Sequence, residues 1–194
     1  MKRAIAWLFT AFWILCIGCS KERNDECGQS SARPVDSALV AFLSRTRAAH
    51  HLADQAEQRG ALGQAVDSLQ AVVRGPLPSP GQLAPETREV LADTLGRIAH
   101  LQSKRGAFDD ADRALEQGLA HAPHDSYFEG YLFEVRGLNE EARAAALQSK
   151  GDQAGALAAK QRAISALERS MRIQAAVIEQ AHKAAAEPRS KSAP

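Results

Sequence analysis

The chain has 194 residues, and its 24 lysines and arginines are almost balanced by 23 aspartates and glutamates, which leaves a formal net charge of +1. Nucleic acid is therefore not an expected partner, because neutralising phosphates requires a concentrated basic surface. The length is enough for about one domain with a modest hydrophobic core.

Residues 1–19 have the pattern of an export signal. Lys2 and Arg3 precede an uncharged, mainly apolar stretch, residues 4–17, which ends in the small Gly18 directly before Cys19. An apolar stretch of this length is too short to cross a bilayer core, which takes about 20 helical residues, so an uncleaved anchor is the weaker interpretation. We predict a signal peptide over residues 1–18.

The last residues of this signal, CIGC at positions 16–19, resemble the lipobox of bacterial lipoproteins, in which the final cysteine is lipidated and becomes the new N-terminus. Cys16 stands where a lipobox usually carries leucine, and Leu15 lies one position earlier. The resemblance implies a lipid on Cys19, and Ser20 after it implies sorting to the outer membrane, facing the periplasm. Ordinary signal cleavage is the alternative.

Two polar segments enclose the rest of the chain. Residues 19–34 are rich in charged and small polar residues without apolar periodicity, which predicts a flexible tether. Residues 184–194 predict a disordered tail, which leaves residues 35–183 as the folded domain. If Cys19 carries a lipid, Cys27 is the only other thiol after cleavage, so we expect no internal disulfide framework. Without lipid, these two cysteines could form a bridge.

Residues 35–183 predict an all-helical domain, because Ala, Leu, Gln, Glu and Arg dominate and β-branched residues are sparse. Three segments align around Gly60, Gly106 and Gly151, and each glycine has an alanine five residues later. Glycine supplies the left-handed conformation that ends one helix, and a small alanine lets the next helix approach closely. Each segment therefore predicts a helical hairpin, whose first helix begins near a proline or capping residue at 34–36, 85–86 or 124–126.

The middle segment, residues 92–125, resembles a tetratricopeptide repeat over its full length. Leu95 occupies a packing position of the first helix, Gly106 the turn, Ala111 the second helix and Pro123 the exit, whereas Gln102 departs from the family pattern. The neighbouring segments match less well, and their spacing exceeds the roughly 34 residues of the usual repeat. The resemblance implies a right-handed array of about three antiparallel hairpins with a long C-terminal helix. A plain helical bundle is the alternative.

In that family the first helix of each hairpin lines a concave groove that binds a peptide or a partner helix. Carried over by alignment, the predicted partner-binding groove contains His50, His51, Asp54, Glu57, Asp93, Arg97, His100 and Lys104. Arg97, His100 and Lys104 lie on one face of a helix and could bind a carboxylate of the partner. Solvated polar helix surfaces are the alternative.

We find no pattern that predicts catalysis, a metal or a cofactor. The sequence lacks a phosphate-binding glycine loop, a nucleophile elbow and a zinc-protease helix. His121 and His124 flank Pro123 with Asp125 nearby, but no third ligand of fixed geometry accompanies them, so we expect solvated turn residues. We therefore predict no catalytic residues and no bound metal or cofactor.

Two apolar patterns follow the middle segment. An aromatic cluster should pack against the preceding hairpin; it comprises Tyr127, Phe128, Tyr131 and Phe133. A stripe with three- and four-residue spacings should form the inner face of a capping helix; it comprises Ile164, Leu167, Met171, Ala175 and Ile178. The stripe could instead be a seam for a second chain, although it is shorter than a normal coiled coil.

Together these features predict a membrane-tethered, non-enzymatic protein–protein interaction module of the bacterial cell envelope, whose partner is an envelope protein or peptide. Related lipoproteins with such repeats assist the assembly of pilus secretins or outer-membrane machinery. The resemblance suggests a role of this kind but does not identify the partner. The alternative is a structural, homo-oligomeric helical-bundle lipoprotein that associates through its C-terminal helix.

Overall fold

The structure, a computed structural model, describes residues 36–79 and 81–186. Within them the chain forms six α-helices and no β-strand, which confirms the predicted all-α fold. The helices are α1 (Ser37–Gln58), α2 (Leu62–Arg74), α3 (Pro85–Lys104), α4 (Phe108–His121), α5 (Tyr127–Ser149) and α6 (Gln153–Ala186). The predicted signal peptide, the lipobox, the tether and most of the C-terminal tail lie outside the described residues. None of the described helices is both long and apolar enough to cross a membrane.

Three tight turns join α1 to α2, α3 to α4 and α5 to α6. Gly60, Gly106 and Gly151 lie in these turns with φ of +74°, +75° and +83°, the left-handed conformation that favours glycine. In each turn the residue after the glycine donates its N–H to the carbonyl five residues earlier, at 2.8, 2.9 and 3.0 Å. The three turns therefore have one hydrogen-bond pattern, and the predicted position of each hairpin turn is confirmed.

The alanine five residues after each glycine is buried where the two helices of a hairpin meet. Ala65 and Ala111 are completely buried and Ala156 is almost so. The main hydrophobic cluster surrounds the first two of these alanines, and its fully buried leucines include Leu69 and Leu115. The small side chains at these positions keep paired helices close together, as the sequence predicts.

Capping groups fix the start of each hairpin at the expected residue. The Asp36 carboxylate accepts hydrogen bonds from the N–H groups of Ala38 and Leu39 at 2.9 and 3.2 Å, so α1 begins at Ser37. Pro85 is the first residue of α3. A backbone N–H at this position would have no acceptor within the helix, so proline costs no hydrogen bond there. The Ser126 hydroxyl accepts from the Glu129 N–H at 3.2 Å and caps α5.

The inner face of α6 differs from the predicted one. The residues that α6 buries are mostly small: Ala156, Ala159, Ala163, Ala166, Ser170 and Ile173. Ile164, Met171 and Ile178 of the predicted inward stripe are exposed instead, so that prediction is wrong. The reason is the close approach of α5, since a Cβ built on Gly137 would lie only 2.5 Å from Cγ of Leu167. The large Leu167 fits there because position 137 has no side chain, and alanines fill most of the remaining contact.

Candidate partner-binding face

The first helices α1 and α3 bring four of the predicted groove residues into one ion-pair network. Nη2 of Arg97 donates to Oδ1 of Asp54 at 2.8 Å and to Oε2 of Glu57 at 2.5 Å. Nζ of Lys104 donates to the other oxygen of Glu57 at 2.6 Å. Arg97 and Lys104 are thus neutralised by acids of α1, whereas the sequence predicted that they bind a partner's carboxylate.

Glu57 is the centre of this network. Its side chain is 17% exposed, whereas that of Lys104 is 48% exposed. The hydrogen bond from Lys104 holds the pKa of the Glu57 carboxyl below its usual value, against the opposing effect of burial, and the charge of Arg97 acts in the same direction. The network therefore fixes α1 against α3 and is partly accessible from outside.

His100 is close to the network but adds no positive charge at neutral pH. Burial lowers the pKa of His100 below its ordinary 6.5, and the charges of Lys104 and Arg97 lower it further. A neutral imidazole can accept one hydrogen bond and donate another. His100 therefore contributes hydrogen-bonding capacity to this face, rather than the third cation of the row that the sequence suggested.

The two histidines of α1 point to different surroundings. Nε2 of His50 is 3.1 Å from the Thr94 hydroxyl of α3, in a partly buried position that ties the two helices together. Nε2 of His51 is 2.9 Å from the Gln55 amide on the same helix, and both side chains are exposed. Only His51 is therefore open to a partner.

Helix α5 extends this face with a pair of tyrosines. The rings of Tyr127 and Tyr131 are nearly parallel, with centroids 6.4 Å apart. Tyr131 packs onto Gly96 of α3, where a Cβ would lie 2.5 Å from its ring. Burial raises the pKa of Tyr131 to about 12, and the nearby charge of Asp93 raises it as well. Asp93, the remaining predicted groove residue, is therefore close to the tyrosines.

The aromatic cluster packs as predicted only at Phe128 and Tyr131, and Tyr127 is 58% exposed. Phe128 and Tyr131 pack against the main hydrophobic cluster. Phe133 is buried elsewhere, with the guanidinium of Arg169 of α6 4.0 Å from its ring centroid. Tyr127 belongs to the predicted aromatic cluster and not to the predicted groove. We name the surface of α1, α3 and α5 the first-helix face; it contains Tyr127 and the eight predicted groove residues.

The turn before α5 brings three metal-ligating side chains together. Ligand atoms of His124, Asp125 and Glu129 lie within 4.8 Å of one another, so Glu129 supplies the third group that the sequence did not reveal. The Glu129 carboxylate already accepts hydrogen bonds from the Asp125 N–H at 2.7 Å and from Arg169 at 3.1 Å. These bonds account for the burial of Glu129 at the start of a helix. His124 remains exposed in the turn, as expected, whereas His121 is the half-buried last residue of α4, so it is not a solvated turn residue.

A groove of about 360 Å³ between α5 and α6 contains three arginines. Each arginine pairs with a glutamate: Arg162 with Glu140 at 2.9 Å, Arg169 with Glu129 at 3.1 Å, and Arg136 with Glu116 of α4. Because these charges compensate one another, the groove has no excess of positive charge for an anion. Its ion pairs connect α4, α5 and α6.

No protein-family model matches the chain, and neither a curated protein nor a solved structure matches it. The likeness to tetratricopeptide repeats therefore depends on the residues of this chain alone.

Proposed function

We propose that this chain is a membrane-tethered, non-enzymatic interaction module of the bacterial cell envelope, a TPR-like lipoprotein that binds a protein or peptide partner on the first-helix face. One observation carries the proposal: the first helices of successive hairpins place polar, charged and aromatic side chains side by side on that face. Interhelical ion pairs hold several of these side chains in place before a partner arrives. Such preorganisation reduces the ordering cost of binding.

The network changes the recognition mode that the sequence suggested. A partner's carboxylate would compete with Glu57 for the same nitrogens if it approached Nζ of Lys104 or Nη2 of Arg97. Both ion pairs of Arg97 to acids use Nη2, however, and its guanidinium carries further N–H donors. We therefore propose that a peptide carboxylate adds to the outer edge of Arg97, while an apolar side chain of the same peptide packs against Tyr127.

Membrane attachment is tested by fractionation of the full chain. A lipid on Cys19 should hold the protein in the membrane fraction at high salt, because acyl burial contributes about 0.8 kcal/mol per CH₂ and does not depend on ionic strength. Cys19→Ala should release the protein or stop its processing, and Cys27→Ala is the matched control that should behave as the wild type. If Cys19→Ala still fractionates and is processed as the wild type, the lipobox interpretation is wrong.

Partner binding is tested by affinity purification from envelope extracts with variants that leave the ion pairs of Glu57 intact. The double variant His51→Ala with Tyr127→Ala alters two exposed side chains of the first-helix face. The control Asp67→Ala with Gln117→Ala alters two exposed side chains of the second helices α2 and α4. We expect only the first double variant to lose a co-purifying envelope protein, with thermal midpoints nearly unchanged in both. Equal retention or equal loss of every partner would reject the first-helix face as the binding surface.

A further inference from the structure

The outer side of α6 carries four large apolar side chains in a straight row. Leu157, Ile164, Met171 and Ile178 recur every seven residues and are 70, 50, 70 and 58% exposed. They lie about 120° around the axis of α6 from its buried alanines, at 3.6 residues per turn. Among the described helices α6 packs against α5 alone, so none of the others covers this row. We name the row the α6 stripe.

The α6 stripe has the geometry of a short coiled-coil seam. A seven-residue repeat keeps side chains on one side of a supercoiled helix, and the stripe extends over about 31 Å at 1.5 Å per residue. A second exposed column lies four residues after each stripe position; it contains Gln161, Glu168, Ala175 and His182. One column of the seam is large and apolar, and the other is smaller and more polar. The side chains of one helix therefore leave gaps between successive large residues.

We propose that the α6 stripe binds the α6 stripe of a second copy of this chain, antiparallel about a two-fold axis. In the register that sets Ile164 opposite Ala175 of the second copy, Met171 faces Glu168 of that copy and Leu157 faces its His182. Large side chains of one helix then fall between those of the other, so apolar groups fill the seam at every turn. A parallel pair would place the large residues at the same levels and leave polar layers between them.

The charges beside the stripe favour the same arrangement. Glu168 lies at the middle of the stripe, and Nη1 of Arg172 on the same edge is 4.0 Å from its carboxylate. In the antiparallel register Glu168 of each copy lies within one residue of the level of Arg172 of the other, and the two Glu168 residues are three residues apart along the seam. A parallel pair would set the two Glu168 carboxylates at the same level. One surface thus supplies both members of each ion pair, which is the self-complementarity that a two-fold interface requires. The α6 stripe and its charges are separate from the first-helix face.

A single helix pair of this length buries less surface than a standard stable interface, so the association is best measured on the full chain in its own membranes. We would use the Cys27→Ser protein as the parent and treat isolated membranes with a short bis-maleimide. Met171→Cys should give a covalent dimer, because the two copies of this residue are about three residues, or 4.5 Å, apart along the seam. The parent should give none.

Orientation is tested with a second position. Leu157→Cys alone should give at least tenfold less dimer than Met171→Cys, because its two copies lie about 38 Å apart in the antiparallel register. Co-expression of Leu157→Cys with His182→Cys chains should restore the dimer. Ile164→Lys added to Met171→Cys should lower the dimer yield about tenfold without lowering the thermal midpoint.

Three outcomes would overturn the proposal. Equal cross-linking of Leu157→Cys and Met171→Cys would show a parallel pair, and an adduct of another mass would show a different protein on the stripe. Failure of Met171→Cys to form any dimer would show that this face is not a self-association surface. None of these results bears on the partner-binding variants, since the cysteine positions lie on α6 and away from the first-helix face.

Discussion

Replacing Ala111 by leucine should destabilise the protein by overpacking the crossing of α3 and α4. Ala111 is completely buried within the main hydrophobic cluster, so a longer side chain has no free space and must displace its neighbours. Such insertions cost about 1 to 3 kcal/mol. For a chain of this size that loss corresponds to a thermal midpoint about 2 to 12 °C lower.

The matched control is Ala142→Leu, which makes the same change at an exposed position within α5. Alanine and leucine have similar helix propensities, so this variant should change the free energy of unfolding by less than about 0.5 kcal/mol. Both variants would be followed by circular dichroism during thermal and urea unfolding. If Ala111→Leu is as stable as Ala142→Leu, then Ala111 does not lie at a tight helix crossing and the hairpin alignment is wrong.

Three further changes test the network, a titrating group and a cap. Glu57→Ala should lower the free energy of unfolding by about 1 to 2 kcal/mol, because it removes both ion pairs of a mostly buried carboxylate. The exposed control Glu141→Ala should change it very little, and equal urea midpoints for the two variants would show that Glu57 does not stabilise the contact of α1 and α3. The pKa of His100 is lowered in the folded state, so the unfolded chain takes up this proton more readily and stability should fall as the pH drops below about 6.5. When the pH is lowered from 7.5 to 5.5, the thermal midpoint of His100→Gln should fall less than that of the wild type or of the exposed control His182→Gln. If the midpoint of His100→Gln falls as much as that of the wild type, His100 is not the group that titrates. Ser126→Ala should cost about 1 kcal/mol by removing the cap of α5, and a loss below 0.3 kcal/mol in calorimetry would show that the cap is dispensable.

The hairpin turns could be predicted from the sequence because their causes are local. A glycine with positive φ and a buried alanine five residues later are both fixed by a few neighbouring residues, and all three turns follow the rule. Asp36, Pro85 and Ser126 act in the same way, since a cap needs only the first turn of its own helix.

The face that α6 buries could not be predicted, because a neighbouring helix decides it. The apolar pattern favoured Ile164, Met171 and Ile178 as the inner side, but α5 packs closely on a neighbouring, mostly alanine face of α6, where Gly137 leaves space for Leu167. Hydrophobicity alone does not show which of two faces fits a neighbour. The row of small residues on the buried face of α6 was the available signal.

The ion pairs between α1 and α3 were missed for a similar reason. The sequence places Arg97 and Lys104 on one face of α3, but it does not show that Glu57, 40 and 47 residues away in the chain, lies opposite both. Interhelical register sets that pairing, and the sequence fixes register only indirectly. The candidate residues were thus brought together by the fold, while their charges proved to be engaged with one another.

Site-specific photo-cross-linking in the cells that make this protein tests the proposed function most directly. A photoreactive amino acid would replace His51 or Tyr127 on the first-helix face, and Asp67 on α2 in the control, with Cys19 unchanged. We predict that both first-helix positions capture the same envelope protein on illumination and that the Asp67 position captures none. Capture of the same protein from all three positions, or of none from His51 and Tyr127, would contradict a partner-binding module built on this face.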